Sequence, residues 1–271
     1  MQREINRKKT AGVFIIVLIV TTFVFVLKCL ITTIGTTDEL YYITTAYRFY
    51  QGDAMLADDW NTAQMSGFLL LPFVSLYMAI MKTTEGIVLY FRFLYLIYKM
   101  FVAFFCLKRL KPYGLFGMMG VAVFYFFTPY NLDSLSYNTI PIGMVMMIGA
   151  VYLTEKRKKL DYYLCGIFLA MSILAQPFFI LIYFAGAAFA AWKAYTRNSG
   201  GKWHPLKKYV LVSAGAVTVL LIFLLFIFSR ASLHEISENL QFILNDKNHS
   251  VSGTGGAKAF CLSLLKQDIT F

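Results

Sequence analysis

Residues 210–228 read VLVSAGAVTVLLIFLLFIF, with no charge and no polar stripe at helical spacing. A surface helix of a soluble protein keeps one polar face toward water. A helix crossing a hydrocarbon core about 30 Å thick needs about 20 apolar residues instead. The stretch therefore predicts a transmembrane helix. Further apolar runs cover residues 12–33, 66–81, 87–107, 113–128, 137–153 and 164–192. The composition agrees, with 59% of the 271 residues hydrophobic and only 14% charged. An ordinary soluble domain is about a quarter charged. The expected fold class is all-α: a polytopic membrane protein with about six to eight hydrophobic segments.

The net charge of +11 is not a nucleic-acid signal, because the basic residues cluster at the ends of apolar runs. Lys and Arg in that position fix membrane orientation. Cys29, Cys106, Cys165 and Cys261 lack metal-ligand spacing and read as small hydrophobes. The basic start at residues 3–9 is followed by an apolar run too long for a signal peptide, so it reads as an uncleaved first helix.

By the positive-inside rule, the basic clusters at residues 3–9, 108–111, 156–159 and 193–208 belong in the cytoplasm. The N-terminus is then cytoplasmic, in a plasma (inner) membrane, and the loop 34–65 lies outside. Residues 130–136 form a short outer loop. The run 164–192 lies between two basic clusters, so one helix cannot account for it. Pro177 at its middle lacks the amide that a helix interior donates. This predicts a hairpin of two short helices turning outside near Gln176. Residues 66–81, carrying Pro72, either cross fully, which puts Asp38 and Asp133 on opposite faces, or enter and return or lie along the interface. The second course keeps every basic cluster inside and is the one expected, although Lys82 at the end of the segment argues the other way. Residues 1–229 form the membrane domain on this reading, and 230–271 form an external polar tail or the start of a further part.

The stretch 37–53, TDELYYITTAYRFYQGD, follows the first helix on the outer face. Leu40, Ile43, Tyr47 and Tyr50 recur at three- and four-residue spacing, which describes an amphipathic surface helix over 38–51. In the simplest account, Asp38 and Glu39 only complement the dipole of its N-terminus. Arg92 and Lys99 lie seven residues apart and share one face of a membrane helix. Charges inside a span are costly and mark functional candidates. Lys28 and Lys99 are expected to snorkel to the nearest interface. His234 and Glu238 have helical spacing, but HEISE is not a zincin motif.

A first helix, then an outer Asp-Glu opening a Tyr-rich surface helix, resembles the GT-C superfamily of polyprenyl-phosphate-sugar-dependent glycosyltransferases. The nearest look-alikes are bacterial relatives of protein O-mannosyltransferases, aminoarabinose transferases and RgtA-type sugar transferases. Asp38, Glu39 and Tyr42 with Ala46 carry the likeness, as do Asp133 in PYNLDSLSYNT, Arg92, and the hairpin at Ala175-Gln176-Pro177. It spans residues 10–195. Gln176 stands where relatives often have Lys, and the Lys-Pro-Pro-Leu segment of the family is absent. About seven hydrophobic segments are fewer than the family's usual nine or more, which implies a fragment, a truncated reading frame or a degenerate copy.

The resemblance implies catalytic roles for Asp38, Glu39 and Asp133. It implies lipid-phosphate binding by Arg48 and Arg92, and substrate contacts from Tyr42, Tyr137, Asn138 and Gln176. A carboxylate would take the proton of the acceptor hydroxyl, or would hold a divalent metal against the leaving phosphate. The expected partners are the lipid bilayer and a polyprenyl-phosphate-sugar donor, with an outer-face glycan, lipid or protein as acceptor and no nucleic acid. Two other readings stand beside this one: a non-catalytic membrane scaffold, and a transporter or flippase. A transporter predicts internal repeats, and none is evident.

Overall fold

The computed structural model describes residues 12, 16, 19–29, 37–59, 61, 64–129, 132–154, 157–196 and 204–244. Among them are helices, turns and loops, and no strand. The helices are α1 (Ile19–Cys29), α2 (Thr37–Gln51), α3 (Met65–Met81), α4 (Ile87–Leu110), α5 (Leu115–Phe126), α6 (Thr139–Leu153), α7 (Lys159–Ala175), α8 (Ile180–Thr196), α9 (His204–Phe228) and α10 (Leu233–Leu244). Three helical stretches are long and apolar enough to cross a membrane: Ile87–Tyr113, Pro177–Thr196 and Pro205–Phe228. Four shorter apolar helices accompany them, α1, α3, α5 and α6. The chain is thus all-helical among the described residues, with several helices that could span a bilayer.

The hairpin expected at Gln176 forms. α7 ends at Ala175, Gln176 is extended, and Pro177–Phe179 make a single 3₁₀ turn before α8. Proline suits that first position because its missing N–H has no partner there anyway. α7 and α9 then pack closely through Gly166 and Gly215. A Cβ on Gly166 would strike the Val212 carbonyl, and one on Gly215 would strike the Tyr163 carbonyl. Small residues let helix backbones approach where no hydrophobic drive separates protein from lipid.

Contacts sort the helix ends into two sets. At one end, Arg109 in the last turn of α4 bonds Asp161 at the start of α7. Tyr113 bonds the Leu153 carbonyl at the end of α6 at 2.7 Å, and Lys208 of α9 lies over the Tyr162 ring. This end carries the basic clusters of the described residues. At the other end lie α2, the loop after it, the start of α4 and the end of α9. Arg230 donates to the Phe49 and Asp53 carbonyls. Asn239 of α10 donates to the Leu56 and Asp59 carbonyls, both at 2.8 Å.

α3 runs unbroken through Pro72, so the segment does not turn back within itself. Its first half packs Phe68 against Phe223 and Phe226 near the end of α9, with centroids 5.2 Å apart in each case. Its last turn packs Tyr77 against Tyr90 near the start of α4, with centroids 4.9 Å apart. Both ends of α3 therefore meet the same end of the bundle, and α2 runs beside it. The α2 face turned to the protein carries Glu39, Tyr42, Ile43, Ala46 and Phe49, all buried. Leu40 and Tyr50 point outward and Tyr47 is half-buried. Only Ile43 of the four periodic positions faces the core.

Candidate functional site

The segment between α5 and α6 departs from the short outer loop expected at 130–136. α5 has only 12 residues, about 18 Å of helix at 1.5 Å per residue. The chain after it therefore stays inside the bundle. Leu132, Asp133, Ser134, Leu135, Ser136, Asn138 and Thr139 are all buried. Its polar groups largely satisfy one another. Ser136 N donates to Thr139 Oγ1 at 2.8 Å, and Thr139 Oγ1 donates to the Ser134 carbonyl at 2.9 Å. Gln176 Nε2 reaches across from the α7–α8 turn and donates to Asn138 Oδ1 at 2.6 Å. Irregular backbone among apolar helices persists only where protein buries it or where it lines a cavity.

Two ion pairs meet next to this segment. Arg92 of α4 donates to Glu39 of α2 through Nε at 2.8 Å and Nη2 at 2.9 Å, with side chains 4% and 2% exposed. Arg92 Nη1 also donates to the Cys29 carbonyl at 3.3 Å. The neighbouring residue on α1, Lys28, holds Asp133 Oδ2 at 2.6 Å. The adjacent residues 28 and 29 thus join Glu39 and Asp133, which stand far apart in sequence, into one polar cluster. Tyr42, three residues after Glu39 on α2, packs against Tyr137 of the buried segment, with ring centroids 4.3 Å apart.

The predicted residues divide accordingly. Glu39, Arg92, Asp133, Tyr42, Tyr137, Asn138 and Gln176 come together at one end of the bundle. Arg48 does not join them: it binds Asp53 at 2.6 Å and Asp59 at 3.1 Å, and ties down the loop after α2. Asp38 stands in the first turn of α2, and its side chain lies outside the described residues. Lys28 does not simply snorkel, since it pairs with Asp133 while its side chain remains 38% exposed. Lys99 also departs from expectation. It is buried, donates to the Phe127 carbonyl at 3.1 Å, and sits over the rings of Phe25, Tyr95 and Tyr125. That carbonyl has left the helical pattern at the end of α5, and the aromatic faces supply the rest of the ammonium's solvation.

Sequence reasoning missed Cys29, which enters through its backbone, and Ser134, Ser136 and Thr139. The one available signal for the last three was the polar run SLSYNT between two apolar helices. Among the described residues, no group of three or more His, Cys, Asp or Glu side chains converges. Glu39 and Asp133 each face a cation, so these residues do not fit a divalent metal. His234 and Glu238 form only an exposed pair, 3.3 Å apart on α10.

Two buried acceptors stay open. Asp133 Oδ1 and Ser134 Oγ have no hydrogen-bond partner among the described residues. A buried carboxylate oxygen left open is costly unless something binds there. Chemically, the cluster offers one oriented carboxylate, a half-exposed ammonium beside it, and hydroxyl and amide groups around it. No protein-family model matches the chain, and no curated protein or solved structure matches it.

Proposed function

We propose that the chain is a membrane glycosyltransferase that moves a sugar from a polyprenyl-phosphate donor to an acceptor at the outer face of the plasma membrane. One observation carries the reading: the two stretches that bear the resemblance, around Glu39 and around Asp133, share one buried polar cluster with an open carboxylate oxygen. In this reading the N-terminus and the basic clusters face the cytoplasm. Most of the apolar helices cross the bilayer, and α2 and α3 lie across the outer end.

The chemistry assigned to the cluster is simple. Asp133 Oδ1 accepts the acceptor hydroxyl's proton as the new bond to the anomeric carbon forms. The bond from that carbon to the lipid phosphate oxygen breaks, and the phosphate leaves with the electron pair. Lys28 fixes the other Asp133 oxygen and turns its exposed side to the leaving phosphate. Glu39 and Arg92 hold α1, α2 and α4 together beneath the site. Asp38, at the mouth of α2, shares the base role that the resemblance gives it.

The test is transfer by the purified full chain in proteoliposomes, with polyprenyl-phosphate sugars extracted from its own membranes as donor. Asp133→Asn is expected to cut turnover by about a hundredfold or more, the usual range for a lost general base, in a chain that still inserts and folds. Full transfer by both Asp133→Asn and Asp38→Asn would overturn the reading. A scaffold is the second reading. The double occupation of Glu39 by Arg92 favours it, because a carboxylate so held has no catalytic freedom. Lack of transfer by the unmodified chain across the whole donor pool would move it to first place.

A further inference from the structure

A cavity of about 920 Å³ opens between α6, α7, α8 and α9 at the basic end, away from the acidic cluster. Its walls are largely apolar, including Ile148, Leu169, Ile182 and Phe189. Three cations also line it: Arg157 from the α6–α7 connection, Lys193 from α8 and Lys208 from α9. Each lies over an aromatic ring of the same cavity. Arg157 is 5.5 Å from the Tyr152 ring, Lys193 is 4.8 Å from Phe189, and Lys208 is 5.4 Å from Tyr162. None of the three forms an ion pair with a carboxylate among the described residues. Three elements of the chain therefore bring like charges to one cavity, and no carboxylate is among its described lining residues. Like charges gathered in one place repel, and an anion seated among them relieves that repulsion. The apolar depth behind them calls for hydrocarbon, and aromatic stacking keeps the cations at the level of a lipid headgroup.

We propose that this cleft binds an anionic phospholipid of the surrounding bilayer, with its phosphate between Arg157, Lys193 and Lys208 and an acyl chain against Leu169 and Ile182. The occupant is a membrane lipid rather than free phosphate, because most of the cavity wall has nothing to offer a small hydrated anion. The site uses no residue of the acidic cluster, so it stands or falls apart from the proposed transfer reaction.

The experiment is native mass spectrometry of the full chain, purified in neutral detergent and titrated with dioctanoyl-phosphatidylglycerol. Parallel titrations use dioctanoyl-phosphatidylcholine and inorganic phosphate. One phosphatidylglycerol should stay bound per chain. The variant R157Q/K193Q/K208Q should bind it about a hundredfold more weakly, at about 1 kcal/mol for each cation removed. The control K108Q/K111Q/K159Q removes the same charge from exposed positions and should bind as the native chain does. Ala185→Trp fills the cleft with every cation in place and should also lose the lipid, which keeps the test sharp if the triple variant fails to fold. Any of four results would overturn the proposal: equal retention of phosphatidylcholine, competition by inorganic phosphate at similar concentration, equal loss in the control, or full retention in Ala185→Trp.

Discussion

Arg92 grips both carboxylate oxygens of Glu39, at 2.8 and 2.9 Å, where neither side chain meets solvent. The pair ties α2 to α4, and through the Cys29 carbonyl it reaches α1. Removing one partner strands a buried charge, which costs about 3–5 kcal/mol. Arg92→Met and Glu39→Leu should each lower the unfolding temperature in detergent sharply. The double variant should recover much of the loss, because an apolar pair of similar volume often replaces a buried ion pair at little cost. Thermal unfolding of the three variants checks this. Additive single losses in the double variant would mean that the two side chains are not coupled.

The α7–α9 contact makes a second prediction. Gly166 and Gly215 sit against carbonyls of the facing helix, so Gly166→Ala should push the helices apart. Overpacking of this kind costs about 1–3 kcal/mol. Gly149 in α6 has open space where its Cβ would be. Gly149→Ala should therefore stabilise by about 0.5–1 kcal/mol, the ordinary helix preference for alanine. Urea or thermal unfolding of the two variants in one detergent should move in opposite directions.

The apolar helices and the turn at Pro177 were legible in the sequence because both follow from local chemistry: run length, charge placement and a missing amide. The route of α3 was half legible. Its length is short for a span, but its seat beside α2 depends on Phe68 finding Phe223 and Phe226 far along the chain. The depth of Asp133 was not legible. An Asp between Asn131 and Ser134 reads locally as a turn, and only the short reach of α5 keeps it inside. Lys99 misled for the same reason: its acceptor, the Phe127 carbonyl, and the ring of Phe25 come from elements with no sequence link to it.

α10 begins with a reciprocal cap. Glu235 Oε2 accepts from both the backbone N–H and the hydroxyl of Ser232 at 2.7 Å, and Glu235 N–H donates back to Ser232 Oγ at 3.3 Å. These bonds favour the ionised form, led by the one from the Ser232 backbone, and hold the Glu235 carboxyl below its ordinary range. A depressed folded value means the cap contributes above the unfolded value of 4.5 and is lost as pH falls through the lower, folded value. Amide exchange over residues 232–238 should therefore quicken as pH drops from neutral into that acidic range, after correction for intrinsic rates. Glu235→Ala, which removes the acceptor, should exchange fast throughout and lose the pH dependence. Unchanged protection in that variant would mean that the cap does not hold the helix.

Gln64 has no exposed surface, and its amide bridges two strands of backbone in the loop after α2. Oε1 accepts from the Leu56 N–H at 2.8 Å, and Nε2 donates to the Asp59 carbonyl at 2.9 Å. Leu56 itself has φ +66°, a left-handed conformation that a leucine adopts only when its surroundings impose it. Gln64→Leu keeps the volume but leaves the Leu56 N–H unbonded, at about 1–3 kcal/mol, while the Asp59 carbonyl keeps only its bond from Asn239. The loss should centre on the turn at Leu56, because Arg48 still holds Asp53 and Asp59 on either side of it. Limited proteolysis should therefore cut Gln64→Leu within the loop under conditions that leave the native chain intact. Gln64→Glu restores the acceptor toward Leu56 but not the donor toward Asp59, so its cleavage rate should fall between the two. Equal rates in all three would mean that the loop is held by its other contacts and that the Gln64 bridge adds nothing.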